Sequence, residues 1–130
     1  MRITPYLLTA LLALTASSAM AQATATATIP VQLTNFKFTP NQIVLQHGQP
    51  YVLSLTNAAD GGHNFAAPAF FAAASVAAAD QPLLKKGSVE VPAGQVREIH
   101  LVAPAPGQYD LKCTHFLHAG FGMKGTIVVQ

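Results

Sequence analysis

Short runs with the composition of β-strands, several of them alternating apolar and polar residues, recur along this sequence after residue 28. The runs lie at residues 31–40, 43–45, 51–56, 89–91, 96–102, 109–113 and 125–129, with turn residues between them. Alternation with a period of two is typical of strands that bury one face. Several such strands separated by Gly and Pro favour two packed sheets or a barrel. We therefore predict an all-β fold.

One segment, between residues 66 and 86, departs from this pattern. Residues 70–79 are rich in Ala and contain no turn residue before Asp80, Gln81 and Pro82. Ala has the highest helix propensity of all residues. The segment predicts one short helix that begins after Pro68, ends before Pro82 and is inserted at one side of the β-fold.

The N-terminus differs from the rest of the chain. Arg2 gives it a positive start, residues 6–14 are apolar, and residues 19–21 read Ala-Met-Ala. These features together are typical of a secretory signal peptide, and the apolar run is shorter than the ~20 residues of a membrane-spanning helix. We expect a signal peptide at residues 1–21, export to the periplasm without a membrane anchor, and one domain at residues 22–130.

The charges of that domain nearly cancel. They are Lys37, Lys85, Lys86, Arg97, Lys112 and Lys124 against Asp60, Asp80, Glu90, Glu98 and Asp110. Because the sequence shows no basic cluster, nucleic acid is not an expected partner.

Cys113 is the single cysteine, so it is a buried small residue, is paired with another molecule, or is bound to something. Cys113, His118 and Met123 follow one another as C-x4-H-x4-M in the predicted loop between the last two strands. A thiolate, an imidazole and a thioether are donors suited to copper, with the thioether as a weak axial ligand. His63, after a pair of glycines, is the natural donor of the second imidazole. We therefore predict a copper site made of these four residues.

With these residues in this order, the chain resembles the cupredoxins, the blue copper family that includes azurin, plastocyanin and pseudoazurin. The resemblance rests on the early His-Asn pair at residues 63–64, on the later Cys-His-Met loop, and on residues 123–126, which are similar to the exit of the azurin loop. It implies a Greek-key β-sandwich that holds one type 1 copper ion per chain for single-electron transfer. It also implies that the side chain of Asn64 ties the two ligand loops together.

The resemblance further implies where partners bind. Apolar and small residues surround His118, namely Phe116, Leu117, Ala119, Gly120 and Phe121. In the family, part of such a patch docks redox partners at the edge of the histidine. We expect a monomer that carries single electrons between redox proteins through this patch.

The gap between His118 and Met123 is one residue longer than azurin's and is similar to that of multicopper oxidases. Those oxidases place histidines beside the copper cysteine, whereas Lys112 and Thr114 flank it here. We therefore expect no oxidase activity, and no enzymatic activity.

His115 is an extra histidine inside the loop. It follows Cys113 by two residues, so on a continuing strand both side chains face the same way, and His115 is an alternative ligand. We prefer His118, because type 1 loops place at least two residues between Cys and His. His115 also keeps a second function open, that of a copper chaperone, scavenger or storage protein in which it is a transfer ligand. The remaining histidines, His47 and His100, are predicted to lie on the surface.

Overall fold

The structure is a computed structural model that describes residues 25–130, and the predicted signal peptide lies outside these described residues. Within this range the strands are β1 (Ala27–Thr34), β2 (Lys37–Thr39), β3 (Gln42–Leu45), β4 (Pro50–Asn57), β5 (His63–Ala66), β6 (Ser75–Val76), β7 (Leu84–Lys85), β8 (Ser88–Val91), β9 (Val96–Val102), β10 (Gly107–Lys112) and β11 (Lys124–Val129). The helix α1 (Pro68–Ala73) and a 3₁₀ turn (Gln81–Leu83) lie between β5 and β7. No helix of this part of the chain is long and apolar enough to cross a membrane.

The strands form two sheets. The first sheet has the order β2-β1-β4-β9-β6 and the second has the order β3-β11-β10-β5-β8-β7. Neighbouring strands are antiparallel except for the pairs β1 with β4 and β3 with β11. The predicted all-β sandwich with one short helix is confirmed.

The core lies between the sheets and consists of alternate residues of the strands. Tyr51, Leu53 and Leu55 of β4 are buried, as are Ile127 and Val129 of β11. Burial of one large apolar side chain contributes about 1.5–3 kcal/mol. This packing fixes the ends of β5, β10 and β11, and those ends carry the candidate site.

The helix is shorter than predicted. It begins at Pro68, whose fixed φ suits the first turn of a helix, and it ends at Ala73 rather than near residue 79. The chain is extended from Ala74, and β6 pairs with β9 at the edge of the first sheet. Val76 of β6 packs against the core. Sheet pairing and burial of this β-branched residue outweigh the helix propensity of the neighbouring alanines.

The strand predicted at residues 31–40 is in fact two strands joined by a tight turn. β1 and β2 are antiparallel, with Thr34 opposite Lys37. The turn puts Phe36 at a φ of 60°, in the left-handed region that a bulky residue rarely adopts. Its ring is 41% exposed and reaches the candidate site instead of the core.

Candidate metal centre

The predicted ligands come from two chain segments that meet in the second sheet. His63 is the first residue of β5, a strand that the sequence analysis missed because it took this region for a loop. All four residues of β5 are buried, so the run lacks the alternation that identified other strands. Cys113 directly follows β10 and Met123 directly precedes β11. Since β10 lies between β5 and β11, one sheet holds both segments.

Three donor atoms converge where these segments meet. His118 Nδ1 lies 3.4 Å from Cys113 Sγ and 3.1 Å from His63 Nδ1. The distance between His63 Nδ1 and Cys113 Sγ is 3.9 Å. His63 and Cys113 are buried and His118 is half-buried. The three side chains thus form a group able to hold one metal ion.

The spacing of these atoms suits a first-row transition metal. Such an ion binds imidazole nitrogen at about 2.0–2.1 Å and thiolate sulfur at about 2.3 Å. Two nitrogens on one ion are therefore at most about 4.2 Å apart, and a nitrogen and a sulfur at most about 4.4 Å. All three observed distances lie below these limits. Since one thiolate with two imidazoles is the donor set of type 1 copper, the site fits one copper ion per chain.

Met123 lies beside this group. Its side chain is fully buried. Its N–H donates to the carbonyl oxygen of His118 at 3.0 Å, and its carbonyl oxygen accepts from the N–H of Cys113 at 3.1 Å. These two backbone bonds close the loop between the predicted ligands. The axial role of Met123 stays a prediction.

Replacing Met123 tests that role. Met123→Leu preserves volume and apolarity, so we expect the protein to fold and to bind copper. Loss of a thioether that favours Cu(II) is expected to raise the reduction potential, by about 60 mV for each tenfold change in the relative affinity for the two oxidation states. Voltammetry of the copper-loaded variant measures the change. An unchanged potential would mean that Met123 is not a ligand.

The structure separates the two histidines of the loop. His118 joins His63 and Cys113, whereas His115 Nε2 donates to the Glu90 carboxylate, 2.8 and 3.1 Å from its two oxygens. The ring of His115 stacks on that of His118, with ring centroids 5.4 Å apart and an interplanar angle of 30°. His115 thus lies next to the donor group, outside it.

Asn64 connects the two ligand segments. Its Nδ2 donates to Thr114 Oγ1 at 2.7 Å, and its Oδ1 accepts from the backbone N–H of Thr114 at 2.8 Å. Each residue directly follows a predicted ligand, His63 and Cys113 respectively. The tie between the two loops that the family resemblance implies is thus present in the structure.

Two substitutions measure the strength of this tie. Asn64→Leu removes both bonds and leaves a backbone N–H without its partner, so the free energy of unfolding is expected to fall by about 1–3 kcal/mol. Thr114→Val removes only the side-chain bond and is expected to cost about 0.5–1.5 kcal/mol. Urea unfolding of the metal-free variants measures both values. An unchanged free energy of unfolding in the Asn64→Leu protein would show that the Asn64 amide does not hold the loops together.

Asn57 was not predicted to take part in the site. Its side chain is buried, and Nδ2 donates to the carbonyl oxygens of Gly61 and Val91 at 2.9 and 2.8 Å, while Oδ1 accepts from the N–H of Ala59 at 2.9 Å. These bonds fix the loop that leads into His63. The available signal was an Asn at the end of an alternating run and before a glycine pair, since Asn side chains commonly bond the backbone of turns.

Burial lowers the pKa of His63 below its ordinary value, and the positive charges of His118 and His115 lower it further, while Glu90 raises it. A histidine binds metal through the neutral imidazole. The environment of His63 therefore keeps its nitrogen available to a metal at neutral pH.

The half-buried edge of His118 is surrounded by aromatic and aliphatic side chains. Phe36, Phe116, Leu117 and Phe121 are exposed and are called the apolar patch below. The Phe36 ring meets His118 edge to face, with centroids 5.2 Å apart, and also contacts Phe121 at 5.1 Å. Phe36, from the turn between β1 and β2, was not foreseen as part of this patch. It contacts His118 from a part of the chain that is far from the ligand loop in the sequence.

The fold and the donor set together define a small copper-binding β-sandwich protein. The chain belongs to the family of proteins with a cupredoxin-like domain, whose sequence pattern matches residues 7–129. The resemblance to the cupredoxins is thereby confirmed.

Two solved structures have a fold similar to that of this chain. One is the dithionite-reduced auracyanin of the photosynthetic bacterium Roseiflexus castenholzii, with a TM-score of 0.60 and 18% identity, over 82% of this chain and 98% of that chain. The other is auracyanin B, with a TM-score of 0.60 and 22% identity, over 80% of this chain and 88% of that chain. Comparison with curated protein sequences gave no match. At these identities the likeness establishes the fold alone.

Proposed function

We propose that this protein is a periplasmic electron carrier that cycles one copper ion between Cu(I) and Cu(II). The observation that carries the proposal is the position of His118. Its Nδ1 belongs to the donor group, whereas its ring edge meets Phe36 in the exposed apolar patch. One side chain thus connects a buried metal site to a surface that a partner can cover.

A bound copper ion would supply the one-electron couple, and His63, Cys113, His118 and Met123 would hold it. The protein keeps the donors in place. Strand β5 fixes His63, and the backbone bonds of Met123 with Cys113 and His118 fix the loop. A fixed, dry donor group limits rearrangement when the charge of the site changes.

The same features argue for electron transfer rather than catalysis. Catalytic metal sites keep an open position for water or substrate. Here His63, Cys113 and Met123 are buried, and His118 is half-buried against the ring of Phe36. We therefore propose that the protein makes and breaks no substrate bonds, and that redox proteins dock at the apolar patch.

Voltammetry in the presence of a strong Cu(I) chelator tests this proposal. An electron carrier is expected to give one reversible one-electron wave and to keep its copper through repeated cycles. A protein that hands its Cu(I) to the chelator within the first cycles would instead be a copper carrier, and the proposal would be wrong. Copper content after cycling, measured by elemental analysis, separates the two results.

A further inference from the structure

A second surface lies beside the metal centre, on the outward face of the second sheet. One row of residues in register crosses four strands there: Lys112 of β10, Ala66 of β5, Ser88 of β8 and Lys85 of β7. Neighbouring strands are about 4.8 Å apart, so the two lysine backbones are about 14 Å apart. Because small residues lie between two long ones, the row forms a groove with lysine walls.

The groove is open and has a volume of about 750 Å³. Lys86 and Arg97 line it together with Lys85 and Lys112. These four residues, with Ala66 and Ser88 at the floor, are called the basic groove. The sequence contains seven Lys and Arg residues in all, so most of the cations of a chain whose charges nearly cancel lie in one place.

The positive charge of the basic groove is not neutralised by the protein. Glu90 is the one carboxylate that lines the groove, and both its oxygens face His115 Nε2. Among the described residues, none of the four cations lies within salt-bridge distance of a carboxylate. Clustered cations repel one another, and a negatively charged ligand would relieve that repulsion.

We infer that the basic groove binds an extended acidic segment of a partner protein. A small anion such as phosphate cannot face all four cations at once, because the backbones at the two ends of the row lie about 14 Å apart. A planar membrane surface would not reach the floor of a groove. A chain of carboxylates can lie along the floor and engage both walls.

The basic groove ends next to the metal centre. Asn64, Thr114 and Glu90 line this end, and Glu90 bonds to His115, which directly precedes Phe116 of the apolar patch. A partner whose acidic segment lies in the groove would therefore be brought over His118. That this partner is a redox protein rests on the proposed function. That the basic groove binds an acidic segment does not rest on it.

The test uses hexaglutamate as the acidic probe and hexaglutamine as its neutral control. The reduced copper protein, uniformly labelled with ¹⁵N, is titrated with each peptide at about 10 mM ionic strength, where the Debye length is about 30 Å. Hexaglutamate is expected to shift the amide signals of Lys85, Lys86, Ser88 and Lys112, and hexaglutamine is not. The double variant Lys85→Gln/Lys86→Gln is expected to weaken hexaglutamate binding about tenfold.

Lys37→Gln is the matched control for the single variant Lys85→Gln, since it removes the same charge from the first sheet, at a position that does not line the groove. It is expected to weaken binding less than Lys85→Gln does. Equal weakening by these two single variants, or shifts centred outside the groove, would overturn the inference. So would tighter binding of inorganic phosphate or of phosphatidylglycerol vesicles than of hexaglutamate. A reversible copper wave without peptide binding rejects the groove alone, and peptide binding without a reversible wave rejects the electron-transfer function alone.

Discussion

Cys113→Ser is expected to abolish the intense visible colour of the copper-loaded protein and to leave the fold intact. The colour of such a site comes from charge transfer between the cysteine thiolate and copper, and a serine hydroxyl is a neutral, harder donor. Loss of a residue that supports a ligand typically lowers metal affinity about 10–100-fold, so loss of the thiolate itself is expected to cost more than about 100-fold. Absorption spectra and competition with a chelator measure the two effects.

The fold of this variant is expected to survive because the substitution changes one atom of a buried side chain. The hydroxyl of the serine replaces a sulfur that lies 3.4 Å from Nδ1 of His118, and a bond to that nitrogen limits the cost of burying the hydroxyl. Far-ultraviolet circular dichroism checks the fold. Thr114→Ser is the control, since it keeps the hydroxyl that bonds to Asn64 and leaves the donors unchanged. Blue colour retained by the Cys113→Ser protein would end the assignment of a copper thiolate site.

His118→Ala is expected to collapse the type 1 spectrum, whereas His115→Ala is expected to leave its form unchanged. The difference follows from the positions of the two rings. His118 Nδ1 lies 3.1 and 3.4 Å from the other two donors, and His115 bonds to Glu90 instead. Visible and electron paramagnetic resonance spectra of the two copper-loaded variants measure the difference.

Added imidazole gives a second test of which histidine is the ligand. His118 is half-buried at the edge of the protein, so its removal opens a path from solvent to the site. Free imidazole is expected to restore the colour of the His118→Ala protein and to leave the His115→Ala spectrum unchanged. Collapse of the spectrum in the His115→Ala protein would mean that His115, and not His118, is the ligand.

The sandwich could be predicted because the signal for a strand is local. In β4, buried residues alternate with less buried ones, and the sequence shows a matching alternation with a period of two. Strand β5 carries no such signal, since all four of its residues are buried. The helix was predicted too long for a related reason. The end of α1 depends on the pairing of Ser75–Val76 with β9, a strand more than twenty residues away.

In the candidate site, too, local features could be predicted from the sequence more directly than contacts between distant parts of the chain. Cys113, His118 and Met123 share one loop, and their spacing alone predicts that they converge. Their meeting with His63, about fifty residues earlier in the chain, was inferred only from donor chemistry and the family resemblance, and the structure brings His63 to the other two donors.

Other contacts of the site could not be read from residue spacing. The three bonds of Asn57 depend on which carbonyl and amide groups the packed strands bring to it. The contact between Phe36 and His118 depends on a turn that sends an aromatic ring away from the core. The basic groove arises only when strand order and register place Lys112 and Lys85 in one row of the second sheet and Arg97 of the first sheet also lines that row.

The most direct test of the central claim is the visible and electron paramagnetic resonance spectrum of residues 22–130 after addition of one equivalent of Cu(II). A type 1 site is expected to give an intense blue or green band and narrow copper hyperfine splitting. A colourless protein with ordinary hyperfine splitting, or one that takes up only Cu(I), would contradict the account.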